Sequence, residues 1–163
     1  MTLTTPEELL VSSKRRLQVA DHFLTQTYQY VQDPKILVNV LEGVLLAVEE
    51  LIDATLIHER ELGAVHAYQD NIAAKITLLK GSLAKKYDLS HVDIAMITEM
   101  QELIHGHKES TVEFARKGSY VMASKDFSLS TVNVEKIKTY LNRTKTLYTK
   151  IHDRLTRDTT VSQ

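Results

Sequence analysis

Residues 35–60 read KILVNVLEGVLLAVEELIDATLIHER, and the spacing of their apolar side chains decides the fold. Ile36, Leu37, Val40, Leu41, Val44, Leu45, Val48, Leu51, Ile52, Leu56 and Ile57 recur at three- and four-residue intervals, which sets them on one broad stripe of a helix. The stripe is too wide for the narrow seam of a coiled coil, so this helix is expected to be the most buried of a bundle. Just before it stands Gln32-Asp33-Pro34, where Asp33 can cap and Pro34 fits the first turn. Gly43, in the helix interior, costs about 1 kcal/mol relative to alanine, and close approach of a neighbouring backbone is the expected compensation.

Working toward the N-terminus, Thr5-Pro6-Glu7-Glu8 reads as an N-cap, a first-turn proline and the glutamate of a capping box. A first helix should run from there to about Val31, with Leu10, Leu17, Val19, Ala20, Phe23, Leu24, Tyr28 and Val31 facing inward. Beyond Gly63 the period resumes through Ile72, Ile76, Leu79, Leu83 and Tyr87 as a third helix. Ser90 with Asp93 opens a fourth, whose stripe is Val92, Ile94, Ile97, Met100, Leu103 and Ile104, and which should fray near Gly106. Asn133 caps the last helix, which places Val134, Ile137, Tyr140 or Leu141, Leu147 or Tyr148, Ile151 and Leu155 inward.

Between the last two helices lies Thr111 to Val132, TVEFARKGSYVMASKDFSLSTV, which has no helical period. Helices of a bundle are usually joined by about 2–8 residues, so a connection this long is itself a functional clue. Val112 and Phe114 alternate with polar neighbours, as do Tyr120 and Met122, while Lys117-Gly118 and Lys125-Asp126 can turn. Short strands in a hairpin or meander are one reading and an ordered extended coil the other. The expected fold is all-α, a bundle of about five helices with this small insert, forming one domain over residues 1–157 with a disordered polar tail at 158–163.

Composition narrows the function. Hydrophobic residues at 43% and charged residues at 25% are ordinary for a globular chain. No cysteine is present, which excludes disulfides and thiolate metal sites. No apolar run approaches a membrane span and the N-terminus lacks the pattern of a signal peptide, so a cytoplasmic location without membrane contact is expected. Charge is unevenly distributed: residues 1–107 hold 9 Lys and Arg against 15 Asp and Glu, whereas residues 108–163 hold 11 against 6. Such asymmetry signals either an anion-binding face or two segments that attract each other within the fold.

Three constellations could carry chemistry. The first is the basic strip: Arg116, Lys117 and Lys125 flank Tyr120 and Phe127 in the insert, and Lys136 and Arg143 lead the cations of the last helix. Cations neutralise phosphates and exposed rings stack on bases, so this strip suits RNA or a protein partner, with an ordinary solvated helix face as the alternative. The second is His105-Gly106-His107, with His58, Glu59 and His66 elsewhere. Imidazoles two apart on a helix point roughly opposite ways, so neither a metal site nor a cofactor is assigned. The third is Arg60 and His66, separated by five residues where the central helix ends. A nearby helix C-terminus gives Arg60 an ordinary role, complementing the dipole.

The arginine and histidine spacing resembles that of the HEPN superfamily of small helical-bundle domains, many of them ribonucleases. The resemblance implies that Arg60 would stabilise phosphate charge and His66 would move a proton, in a metal-independent endoribonuclease. It also implies a bundle of four or five helices, frequent dimerisation, and RNA or nucleotide-transfer partners. This chain departs from the pattern at Glu61, where a smaller polar residue is common, and in the early position of the pair. The general layout, carried by ADHFLTQTYQYVQDPKILVNVLEGVLLAVEELI, HGHKESTVEFARKGSYVMASKDF and VEKIKTYLNRTK, is similar to that of small archaeal helical proteins of unassigned function. The leading expectation is a non-enzymatic module that binds RNA or a protein through the insert and last helix. A ribonuclease, and a structural homodimerisation domain burying part of helix one or two, are the alternatives.

Overall fold

In the computed structural model, residues 5–125 and 128–161 are described; Asp126 and Phe127 lie outside them. Five helices and one small sheet make up the described fold. Helix α1 covers 6–31 and contains a π-helical turn at Phe23–Thr27. Helix α2 is Lys35–Glu61, α3 covers 72–86 with a break at Gly81, and α4 is His91–Glu109. Strands β1 (Val112–Arg116), β2 (Ser119–Ala123) and β3 (Leu129–Asn133) form an antiparallel meander in the order β1-β2-β3, and α5 is Val134–Val161. The insert is thus a three-stranded sheet.

The helix starts follow their local chemistry. Thr5 and Glu8 form a reciprocal capping box, as do Ser90 and Asp93. Asp33 Oδ1 accepts from the amide of Lys35 at 3.0 Å, Asn71 Oδ1 from that of Ala74 at 2.8 Å, and Asn133 Oδ1 from that of Lys136 at 2.9 Å. Each satisfies an amide that has no partner inside its own helix. Helix α4 does not fray at Gly106. It continues to Glu109, where the Ser110 hydroxyl donates to the carbonyl of His107 at 2.9 Å.

Helix α2 is the centre of the core. Leu37, Val44, Ala47, Ala54 and Leu56 are fully buried, and the helix packs against α1, α4, α5 and the inner face of the sheet. Its one large exposed apolar residue is Leu46, so the apolar stripe is consumed inside the chain. A Cβ added at Gly43 would lie 4.0 Å from Ala20 Cβ. That is ordinary contact, and the close backbone approach expected there is absent.

The stripe of α1 departs from expectation at Val19, Phe23 and Val31, all of which are exposed. The buried line runs through Leu17, Ala20, Leu24 and Tyr28 across the π-helical turn; Val19 and Phe23 fall beside that line, and Val31 is the last residue of the helix. Val92, in the first turn of α4, is also exposed. The last helix passes Arg157, where a disordered tail was expected: residues 158–161 continue α5, and Asp158 is tied into the fold by ion pairs. No helix among the described residues is long and apolar enough to cross a membrane.

Candidate functional site

The strand register sorts the insert into two faces. Val112 pairs with Ala123, Phe114 with Val121 and Arg116 with Ser119; Val121 in turn pairs with Thr131 and Ala123 with Leu129. Side chains alternate along a strand, so these residues share one face, while Glu113, Ala115, Tyr120, Met122, Ser130 and Val132 share the other. The second face meets the core, where Tyr120, Met122 and Val132 are buried. On the outer face Val112 is 56% exposed, Phe114 44% and Leu129 68%.

A hydrogen-bonded cluster fixes the sheet to α4. His107 Nδ1 lies 2.8 Å from Glu113 Oε1, the Ser110 hydroxyl donates to the same carboxylate, and so does the Tyr120 phenol. Burial pushes the Glu113 carboxyl up, but hydrogen bonds from Ser110 and Tyr120 and the nearby His107 outweigh it and leave it below its usual range. Donation to Glu113, with burial second, pushes the Tyr120 phenol up to about 12. Tyr120 was expected to stack on a ligand; at 8% exposure, with its hydroxyl engaged, it is an anchor of the sheet.

Of the cations singled out in the sequence, two groups emerge. Arg116 and Lys117 stand exposed at the β1–β2 turn, where Gly118 takes the positive φ of 73° that a tight turn needs. Neither has an ion pair among the described residues, and Lys125, on the β2–β3 connection, is likewise exposed without one. Four cations of α5 face acids outside that helix. Lys136 Nζ is 3.7 Å from Glu99, Arg143 3.5 Å from Asp93, Lys145 2.8 Å from Asp21 and Lys150 3.4 Å from Asp88. The basic C-terminal half therefore meets the acidic N-terminal half inside one molecule.

His105 and His107 diverge as a helix requires. His105 faces an open groove of about 640 Å³ between α4 and the β2–β3 connection, lined also by Gln101, Glu102, Lys125 and Ser130. His107 turns to Glu113, on another face of the helix. Arg60 lies over the ring of Tyr68 at 5.5 Å, and His66 is exposed in the connection between α2 and α3. No hydrogen bond or ion pair among the described residues joins Arg60 to His66.

Where α2, α3 and α5 end together, a buried ionic cluster forms that the sequence reading did not assemble. Glu59, 1% exposed, accepts from Lys86 Nζ at 2.6 Å and from the Tyr87 hydroxyl at 2.7 Å. Asp158 lies 3.1 Å from the same Lys86, 3.0 Å from His58 Nε2 and 3.4 Å from Arg154 Nε. Its carboxyl, pushed up by burial, is held below the usual range because the hydrogen bonds from His58 and Lys86 and the charges of Lys86 and Arg154 outweigh that effect. Burial, reinforced by donation to Glu59, raises the Tyr87 phenol far above its ordinary value. Donor atoms of His58, Glu59 and Asp158 lie within 4.8 Å of one another, close enough for a metal ion. The Lys86 ammonium, however, already bridges the two carboxylates and supplies the positive charge there. The signal in the sequence was phase: Thr55, His58 and Glu59 continue the inward stripe of α2 with polar side chains.

Comparison with protein-family models, with curated proteins and with solved structures finds no match. The class is defined by its own geometry, a five-helix bundle with a three-stranded antiparallel sheet between its fourth and fifth helices.

Proposed function

We propose that this chain is a non-enzymatic interaction module that holds a protein partner against the outer face of its three-stranded sheet. The carrying observation is the exposure of Val112, Phe114 and Leu129 together on that face, beside Arg116 and Lys117, which have no ion pair among the described residues. An apolar centre rimmed by cations suits a partner with apolar anchors and an acidic border. The last helix contributes less than its composition suggests, because Arg143, Lys145 and Lys150 are neutralised within the fold. Immobilised protein exposed to an extract of its own cells should retain a set of proteins that Phe114→Asp loses and Lys145→Ala keeps. Identical retention by Phe114→Asp would sink the reading.

A second reading, single-stranded RNA, is favoured by Phe114 and Arg116 being neighbours on one strand face. The ring can stack on a base while the guanidinium meets a phosphate. Changing Arg116 and Lys117 together to glutamate should then weaken retention of a labelled uridine oligonucleotide, and the wild-type affinity should fall steeply with salt. No retention at low salt leaves the protein reading alone.

A further inference from the structure

Strand β1 is an open edge of the sheet. Arg116 pairs with Ser119 across a two-residue turn, and a turn that short requires its closing pair to exchange backbone hydrogen bonds. From there the alternation directs the backbone groups of Val112, Phe114 and Arg116 toward β2, and those of Glu113 and Ala115 away from the sheet. No hydrogen bond among the described residues reaches the outward groups of these two. The other edge is guarded: on β3 the carbonyl of Thr131 accepts from Lys136 Nζ at 3.4 Å. Lysine is a common device against edge pairing. β1 carries neither proline nor lysine, and its one acid, Glu113, is drawn beneath the sheet by His107 and Tyr120.

We infer that two copies of this chain associate through β1, pairing antiparallel about a two-fold axis at Phe114. The inference rests on reading the sheet as the interaction element. In this register Glu113 of each copy faces Ala115 of the other, and the two pairs exchange four backbone hydrogen bonds. Phe114 meets its counterpart on the axis, and Val112 faces Arg116. The neighbouring registers are poorer. A shift of two residues one way sets Glu113 against Glu113, like groups directly opposite. A shift the other way sets Glu113 against Lys117, which lies in the turn and has left the strand. A shift of one residue opposes outer side chains to inner ones. Antiparallel pairing also keeps the two Arg116 side chains about 13 Å apart along the strands, four residues at about 3.3 Å each. The product is one continuous sheet that doubles the outer apolar face.

Light scattering of the full chain over a series up to about 1 mM tests this. The mass should rise from 18.5 kDa toward twice that value with concentration. Ala115→Pro removes an outward amide without touching the β1–β2 ladder, and should weaken association about tenfold or more. Amide exchange of the unaltered protein is the second measurement: Glu113 and Ala115 should gain protection as concentration rises, while Val121 does not change. A monomer throughout, or a dimer in which these two amides stay unprotected, overturns the inference. Partner retention that depends on Phe114 in a strictly monomeric protein would remove the homodimer and leave the interaction module standing.

Discussion

Lys86→Met should be among the most damaging single changes outside the apolar core. Glu59 is 1% exposed, and the Lys86 ammonium at 2.6 Å is its ion-pair partner, with the Tyr87 hydroxyl completing the shell. Removing the cation leaves a carboxylate buried on one hydrogen bond, a loss of about 3–5 kcal/mol. The converse change, Glu59→Gln, keeps an acceptor for Tyr87 and leaves Lys86 paired with Asp158 at 3.1 Å and 24% exposed. It should cost about 1–2 kcal/mol, the scale of a charged hydrogen bond lost where water can still reach. In the double variant the stranded charge is gone, so the total should fall short of the sum by about 1–3 kcal/mol. Equilibrium unfolding in urea reads all three. With a slope of about 2 kcal/mol/M, Lys86→Met should lower the midpoint by about 1.5–2.5 M without changing the slope. A cost under about 1 kcal/mol, or one no greater than that of Glu59→Gln, would refute the reasoning that burial of Glu59 depends on this cation.

One further change tests the same cluster, and another the α1–α2 contact. The carboxyls of Asp158 and Glu113 sit below their ordinary values of 3.8 and 4.5 in the fold, so between the folded and unfolded values the unfolded chain binds more protons and stability rises with pH. Their contributions should be complete at neutral pH and vanish as pH falls through the folded values; thermal melts from pH 7 to pH 3 should decline at the acid end, and less so in Asp158→Asn. An equal acid decline in that variant would remove Asp158 from the account. Gly43→Ala should stabilise by up to about 1 kcal/mol, since the added methyl meets Ala20 at ordinary contact; a destabilised variant would show that the α1–α2 contact is tighter than its geometry implies.

Much of the fold was legible because its signals are local. Caps at Thr5, Ser90 and Asn133 act over three residues, and the stripe of α2 reports burial directly because one helix face meets one core. The insert was half legible. Once Lys117-Gly118 is a two-residue turn, Phe114 must pair with Val121, which sets Val112 and Phe114 on the face opposite Tyr120 and Met122. Which apolar row faces the core depends on what lies beneath the sheet, and no strand encodes that. Tyr120 consequently became an anchor and Phe114 the exposed aromatic of the described insert.

The amino-acid sequence by itself determined five helices, their order, most of their inward residues and the place of the insert, because helical period and capping act within a few residues. Only the tertiary structure decided where the charges go. Asp93 and Arg143, or Asp21 and Lys145, are far apart in the chain and meet because α5 packs back across the bundle. Four cations of the basic segment that suggested an anion-binding face, Lys136, Arg143, Lys145 and Lys150, are spent on acids of the acidic segment, and Glu59, Lys86 and Asp158 converge because three helices end at one point. Coulomb attraction acts on distance in space, and that distance exists only after the core has closed.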